Sequence, residues 1–278
     1  MVVPRSLSAR TALRLVPLAP ALVALLALVA PAAVAQASPV VDNANLDLQR
    51  PLRLEDALPV AEDTVILETG LQFVDEHRDT NHVLMPFRAV WGAAPHLQLE
   101  AGTYVASDPH DLKGQSRPGD VQLGALSNFV QETKDRPALS GKATVNVPSG
   151  GDSNGFDFGV EGLVTKSFDR LSLHANAGLT FLAGEPDNDR TSRWDAVVGA
   201  SHPVDWFEGT PTTFIADFYV AQSRQEHGDE LVGVEVGTRH QLDSKTVLDV
   251  GLGHDIDGAP GERDNARITV GLSFGIGT

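Results

Sequence analysis

Cysteine is absent from all 278 residues, so no disulfide staples the fold. Basic residues are scarce: 21 Lys and Arg face 37 Asp and Glu, a formal net charge of −16. A balance this acidic argues against nucleic acid as a partner. Past the first 30 residues no apolar run approaches the roughly 18–20 residues of a transmembrane helix. Helical periodicity, low-complexity blocks and linkers are missing too, so the chain reads as one domain rather than several.

The first 37 residues stand apart. Arg5, Arg10 and Arg14 form a basic start, Ala21 to Ala30 is an unbroken apolar run, and Ala33-Val34-Ala35 or Ala35-Gln36-Ala37 offers a cleavage site. This is the anatomy of a secretory signal peptide, too short to span a bilayer. Its removal takes the formal charge from −16 to about −19, because it carries three arginines and no acid. Residues 38–63 are polar and lack alternation. They read as a periplasmic lead-in that tucks partly into the fold or stays disordered.

From residue 64 to the end the dominant pattern has a period of two. In Arg170 to Phe181, Leu171, Leu173, Ala175, Ala177, Leu179 and Phe181 share one parity, and Ser172, His174, Asn176, Gly178 and Thr180 the other. That alternation is an extended strand with one apolar and one polar face. Twelve such segments are expected: 64–75, 82–91, 95–105, 119–131, 136–147, 155–166, 169–183, 191–202, 211–223, 231–240, 244–254 and 264–276. Nothing in the chain could cover their apolar faces. The economical solution is an all-β, antiparallel, up-and-down transmembrane barrel of twelve strands over residues 64–278, with lipid outside and water inside.

Connection lengths agree. W-G-A-A-P, E-T-K-D-R, S-F-D and Q-L-D-S are short, whereas 106–118, 148–154, 184–190, 224–230 and 255–263 are longer and rich in Gly, Pro and Asp. Short periplasmic turns and long outer loops are the expected asymmetry. The connection 203–210 is the weakest fit, being long for a periplasmic turn. Aromatics are only 6% of the chain, yet they fall into two belts. Phe73, Phe156, Phe158, Phe181, Trp194 and Phe218 mark outer strand ends, and Trp91, Phe129, Phe168, Trp206, Phe207, Phe214 and Phe274 mark periplasmic ends. The last strand, Thr269-Val270-Gly271-Leu272-Ser273-Phe274-Gly275-Ile276, is similar to the terminal assembly signal of bacterial outer-membrane barrels, although it ends on Ile276 and runs on to Thr278.

With the strands placed, three blocks stand out: Gly119 to Ala125; Pro137-Ala138-Leu139 with Lys142 and Val147 to Gly150; and Leu171 to Gly178. Together with Arg50-Pro51-Leu52, Glu55-Asp56-Ala57 and Leu67 to Gly70 they resemble the outer-membrane transporters named for the meta-pathway of phenol degradation. The resemblance covers most of residues 50–278, and its motifs are mostly strand and turn residues. It implies a barrel that passes small hydrophobic or aromatic compounds.

Function then rests on the inward parity. The expected pore-lining residues are Glu68, Arg88, Glu100, Lys142, Glu161, His174, Asn176, Asp195, Asp217, Glu235, Arg239, Asp249 and Arg267. Twelve strands tilted near 40° give a backbone diameter of roughly 24 Å and a bore on the order of 10 Å. Two outcomes compete at that width. Unpaired carboxylates would ring a hydrated pore with a mild cation preference, or the acids pair with Arg88, Lys142 and the lead-in residues Arg50 and Arg53, blocking the lumen. The expected function is a passive channel for small solutes in the outer membrane of a Gram-negative-type bacterium. Its partners are outer-membrane lipid, the solutes and the assembly machinery, and it works as a monomer without a cofactor. The alternative is a non-conducting structural or surface-interaction barrel.

A lipid-modifying enzyme is the third reading. Ser172 and His174 share a face two residues apart, but that face is the lumen, Ser172 does not sit in a G-x-S-x-G elbow, and H-E-x-x-H does not occur. Asp152 to Asp157 and Asp255 to Gly258 look like fragments of calcium loops without the terminal Glu. His77, His110 and His227 are too scattered for a metal site, and none is expected.

Overall fold

A computed structural model describes residues 42–46, 50–76, 81–107, 116–150, 155–183, 189–207, 210–259 and 261–276. The leader expected at 1–37 lies outside them. Thirteen strands appear: β1 (Val65–Glu76), β2 (Asn81–Ala94), β3 (Leu97–Ser107), β4 (Ser116–Pro118), β5 (Val121–Val130), β6 (Ala138–Val147), β7 (Asp157–Phe168), β8 (Leu171–Phe181), β9 (Ser192–Phe207), β10 (Thr210–Ala221), β11 (Leu231–Asp243), β12 (Thr246–Asp257) and β13 (Asp264–Ile276). All pairings are antiparallel between neighbours, and β1 pairs with both β2 and β13. Glu68, for example, lies between Arg88 and Ser273. The sheet therefore closes on itself as a twelve-stranded barrel, β1 joining β13 to β2.

The remaining strand is β4. It pairs Ser116–Pro118 with Val105–Ser107, while β5 pairs with β3 only from Leu97 to Gly102. Residues 106–118 were expected as loop, and three residues of pairing are too few to show a period. The other departure removes the weakest fit of the strand reading. β9 runs on to Phe207 and β10 starts at Thr210, with Thr210 opposite Phe207, so the 203–210 connection is mostly ladder. Pro203 interrupted the sequence pattern there, although it sits opposite Thr213 within the pairing. Elsewhere, tight turns use left-handed residues: His96 (φ 65°) between β2 and β3, and Asp169 (φ 55°) between β7 and β8. Pro95 fixes a negative φ ahead of His96, which takes the positive-φ position of a type II turn, and Asp169 takes the first position of its two-residue turn.

The wall is inside out relative to a soluble sheet. Phe73, Trp91, Phe129, Phe168, Leu173, Phe181 and Val198 are all exposed on the outside, and the buried residues lie within. An exposed apolar wall of this extent is stable only in acyl chains.

Candidate functional site in the lumen

The lumen is not the uniform wet bore that period-two reasoning suggests. At the end bearing the short turns, inward positions of the strands carry Ile66, Val90, Leu126, Leu163, Val197, Ile215 and Val247, each buried to 5% exposure or less. What they pack against is the lead-in. Leu46, Leu52 and Leu54 cluster with Val197, Ile215 and Tyr219. Val60 packs with Ile66, Val90 and Val247, and Ala57 with Leu126, Ala138 and Leu163. Burying each such leucine contributes about 1.5–3 kcal/mol.

Polar contacts fix the register of this inner segment. Its backbone amides donate to inward side chains around the wall: Arg53 to Glu235 at 2.6 Å, Leu54 to Asp217 at 3.2 Å, Glu55 to Asn176 at 3.1 Å, Ala57 to Thr165 at 2.9 Å and Val60 to Gln98 at 3.0 Å. Asn176 returns a bond to the Glu55 carbonyl at 2.8 Å, and Asn128 one to the Ala57 carbonyl at 3.0 Å. Burying a backbone outside a ladder is tolerable only when its groups find partners in this way.

Charge is handled by pairing. Lys142, 1% exposed, reaches Glu55 and Glu100 at 2.8 Å each. Arg88 holds Glu100 at 2.5 Å and Glu68 at 3.6 Å. Arg50 binds Asp249 at 2.5 Å, and Arg267 binds Glu235 and, at 2.8 Å, Asp264. Arg239 is fully buried among these groups. Three further expected residues, Glu161, Asp195 and Asp217, form no ion pair among the described residues. His174 is locked between Thr165 and Ser201, with 3.0 Å from each ring nitrogen to a hydroxyl. Ser172 instead donates to Ser167 at 3.0 Å, so Ser172 and His174 are not brought together as nucleophile and base.

Glycine makes room for the inner segment. A Cβ on inward-facing Gly251 would meet the Pro51 carbonyl at 2.5 Å, one on Gly237 would meet Pro51 Cγ at 3.0 Å, and one on Gly271 would strike the Arg50 guanidinium. Close backbone approach of this kind needs glycine. The sequence reading placed Arg50, Arg53 and most of the wall acceptors, but missed Glu55, the apolar anchors and this glycine floor. Apolar and glycine residues on the inward parity of β1, β2, β5, β7 and β9–β13 were the available signal. A wet face has no use for Leu126 or Leu163.

At the end bearing the long loops the lumen opens. One cavity of about 490 Å³ stands on Pro51, Leu52 and Arg53 and is lined by Glu161, Arg193 and Asp195. A second, of about 760 Å³, reaches from Arg50 and Arg88 up to Tyr104, Arg117 and Arg224. The calcium-like stretch at 151–154 lies outside the described residues. Asp255 accepts from the Tyr219 hydroxyl and from the Asp264 amide at 2.6 Å. No group of three or more metal-binding side chains occurs among the described residues.

Residues 63–265 match the model of the family described as "Putative MetA-pathway of phenol degradation". The chain belongs to that family. Its fold is similar to that of the COG4313 outer membrane channel from Pseudomonas putida F1, with a TM-score of 0.61 and 15% identity over 80% of this chain and 98% of that one. It is also similar to the NanC porin, with a TM-score of 0.53 and 11% identity over 76% and 98%. The barrel of this family member thus has the architecture of outer-membrane channels and porins. A comparison with curated proteins finds no match.

Proposed function

We propose that this chain is an outer-membrane channel through which small solutes pass passively, and that the inner segment, residues 42–46 and 50–60, stops the periplasmic half of its lumen until it withdraws. The observation that carries the reading is the contrast within one closed barrel. A vestibule of about 760 Å³ at the loop end stands above a stopper seated on side chains of the wall. The short turns then face the periplasm, as both termini of the barrel do.

The rest of the reading follows from sequence and family. The chain is exported on its leader, is inserted by the machinery that reads the C-terminal strand, and works as a monomer surrounded by outer-membrane lipid. Small hydrophobic or aromatic solutes are the proposed cargo, in keeping with the family's description. Glu161, Asp195 and Asp217, which lack ion-pair partners among the described residues, support a mild cation preference. No reaction is assigned to the lumen.

Conductance in planar bilayers tests the proposal. The full chain should show low or intermittent current, and a variant lacking residues 42–60 a steady open current with cation-preferring reversal potentials. Silence from both supports the alternative, a non-conducting structural barrel, which the filled lumen also favours. Consistent anion preference in the shortened variant sinks the cation assignment.

A further inference from the structure

Most lumen carboxylates are answered by a cation, but Glu161 is not, although a lysine stands opposite it. Glu161 faces Lys142 across the β6–β7 ladder, yet the Lys142 ammonium is committed to Glu55 and Glu100 at 2.8 Å each. Arg88, the next cation in that cluster, is shared among Glu55, Glu68 and Glu100. Glu161 is left with no ion pair and no hydrogen bond among the described residues. It is about nine-tenths buried, and it lines the cavity of about 490 Å³ that stands on the stopper.

A second carboxylate approaches it over a glycine. Gly178 on β8 pairs with Glu161 on one side and with Asp195 on the other, so the two acids stand two strands apart, about 10 Å between backbones. Asp195 leans into that gap: a Cβ on Gly178 would lie 2.8 Å from its Oδ1. Arg193 and Arg53 lie within electrostatic range of Asp195, but neither is bonded to it among the described residues. Arg53 stacks on the Tyr219 ring at 4.0 Å instead. One row towards the loops, Thr180 stands between Gly159 and Arg193. It lines the same cavity, as do the apolar Pro51, Leu182 and Ala221.

An enclosed carboxylate is costly unless a counter-charge meets it. Here the wall supplies none, and the open side of the group gives onto a cavity of the usual size for small-molecule sites. An ammonium carries three N–H donors and a compact charge, which matches two carboxylates and a hydroxyl around a recessed glycine. We propose that this hollow binds small organic ammonium ions, the charged group held between Glu161 and Asp195 with Thr180 Oγ1 accepting its third hydrogen and the apolar body over Pro51. The site deepens the channel reading by naming a solute class, and it rests on that reading only for transport.

The test is calorimetric titration of the full chain in detergent micelles, where binding needs no current. Benzylamine, protonated at neutral pH, is the probe, with benzyl alcohol as its uncharged counterpart. The amine should bind at least about tenfold more tightly than the alcohol, as expected when charge-assisted hydrogen bonds are gained. Glu161→Gln should remove most of that advantage and Asp195→Asn part of it. Gly178→Val fills the hollow and should weaken both probes. Equal binding of the two probes overturns the proposal. So does unchanged amine binding in a Glu161→Gln protein that still shows the heat-shifted gel mobility of a folded barrel. Should that variant not fold, unchanged binding in both Asp195→Asn and Gly178→Val has the same force. Amine binding by a protein silent in bilayers would sink the channel reading and leave this one standing. Open current with no amine binding would do the reverse.

Discussion

The two halves of the lumen share one wall but treat inward residues in opposite ways. At the turn end the inward parity is apolar or paired: Ile66, Val90, Leu126 and Val247 meet the lead-in, and Lys142 is enclosed by Glu55 and Glu100. At the loop end the same parity is polar and open, with Arg193, Asp195 and Tyr104 around cavities. The difference teaches that alternation reports which face is which, and not what fills the inside. A barrel of this width needs a guest in its lower half because its inner face there is as apolar as a soluble core.

The contrast can be broken hardest at Lys142. Lys142→Met leaves Glu55 and Glu100 buried with Arg88 as the remaining cation near them. Removing one partner of a buried pair costs about 3–5 kcal/mol, which should undock the inner segment roughly a hundredfold to a few thousandfold more often. Trypsin cleavage after Arg53 in the folded barrel, identified by mass, reads that opening. An unchanged cleavage rate would mean that the segment is not seated by this pair. Leu54→Ala attacks the same half without touching charge. Leu54 is 2% exposed and packs with Val197 and Ile215, so the substitution should cost about 3 kcal/mol of docking and show as faster Arg53 cleavage at an unaltered barrel unfolding midpoint in urea. A fall in the barrel midpoint with no change in cleavage would contradict a segment that moves independently.

Much of this was legible beforehand, and the reasons for the rest are physical. Twelve long strands and their faces follow from alternation, because one residue of slip would turn Leu173 inward and His174 into lipid, whereas pairing of the wall acids with Arg50 and Arg53 was one of two outcomes that the composition left open. The lead-in resisted reading because it forms no long ladder of its own. Its backbone is held by Glu235, Asp217, Asn176, Thr165 and Gln98, residues 38–182 positions away along the chain. No local pattern encodes such contacts. The inward glycines were the clue that alternation passes over, since a small residue reads as polar parity whether it faces water or a neighbouring backbone.

Gly251→Leu sharpens that last point. It adds bulk where the Pro51 carbonyl lies 2.5 Å from the position of a Cβ, and changes no charge and no hydrogen-bonding side chain. Overpacking should cost about 1–3 kcal/mol, released by displacing the inner segment rather than the strand. Expected are faster Arg53 cleavage and a larger open current, smaller in both respects than for Lys142→Met. A wild-type cleavage pattern would show that the floor yields.

The smallest expected effect lies outside the lumen, at the turn end, and it separates the wall from its guest. Glu132, in the connection between β5 and β6, accepts the Ser167 amide at 2.6 Å and bonds from Lys166 Nζ at 3.0 Å and the Ser167 hydroxyl at 3.1 Å. Its partial burial opposes ionisation, but the Ser167 amide bond, the Lys166 and Ser167 side-chain bonds and the Lys166 charge outweigh it and hold the carboxyl below the ordinary value. A depressed carboxyl stabilises the folded state fully above its ordinary value, and that contribution is lost as pH falls through the lowered one. The barrel unfolding midpoint should therefore drop between neutral pH and pH 3 by slightly more in the wild type than in Glu132→Gln, while Arg53 cleavage at neutral pH stays the same in both. Parallel pH curves would show that this turn contributes nothing to barrel stability, and altered cleavage would show that the turns and the inner segment are coupled after all.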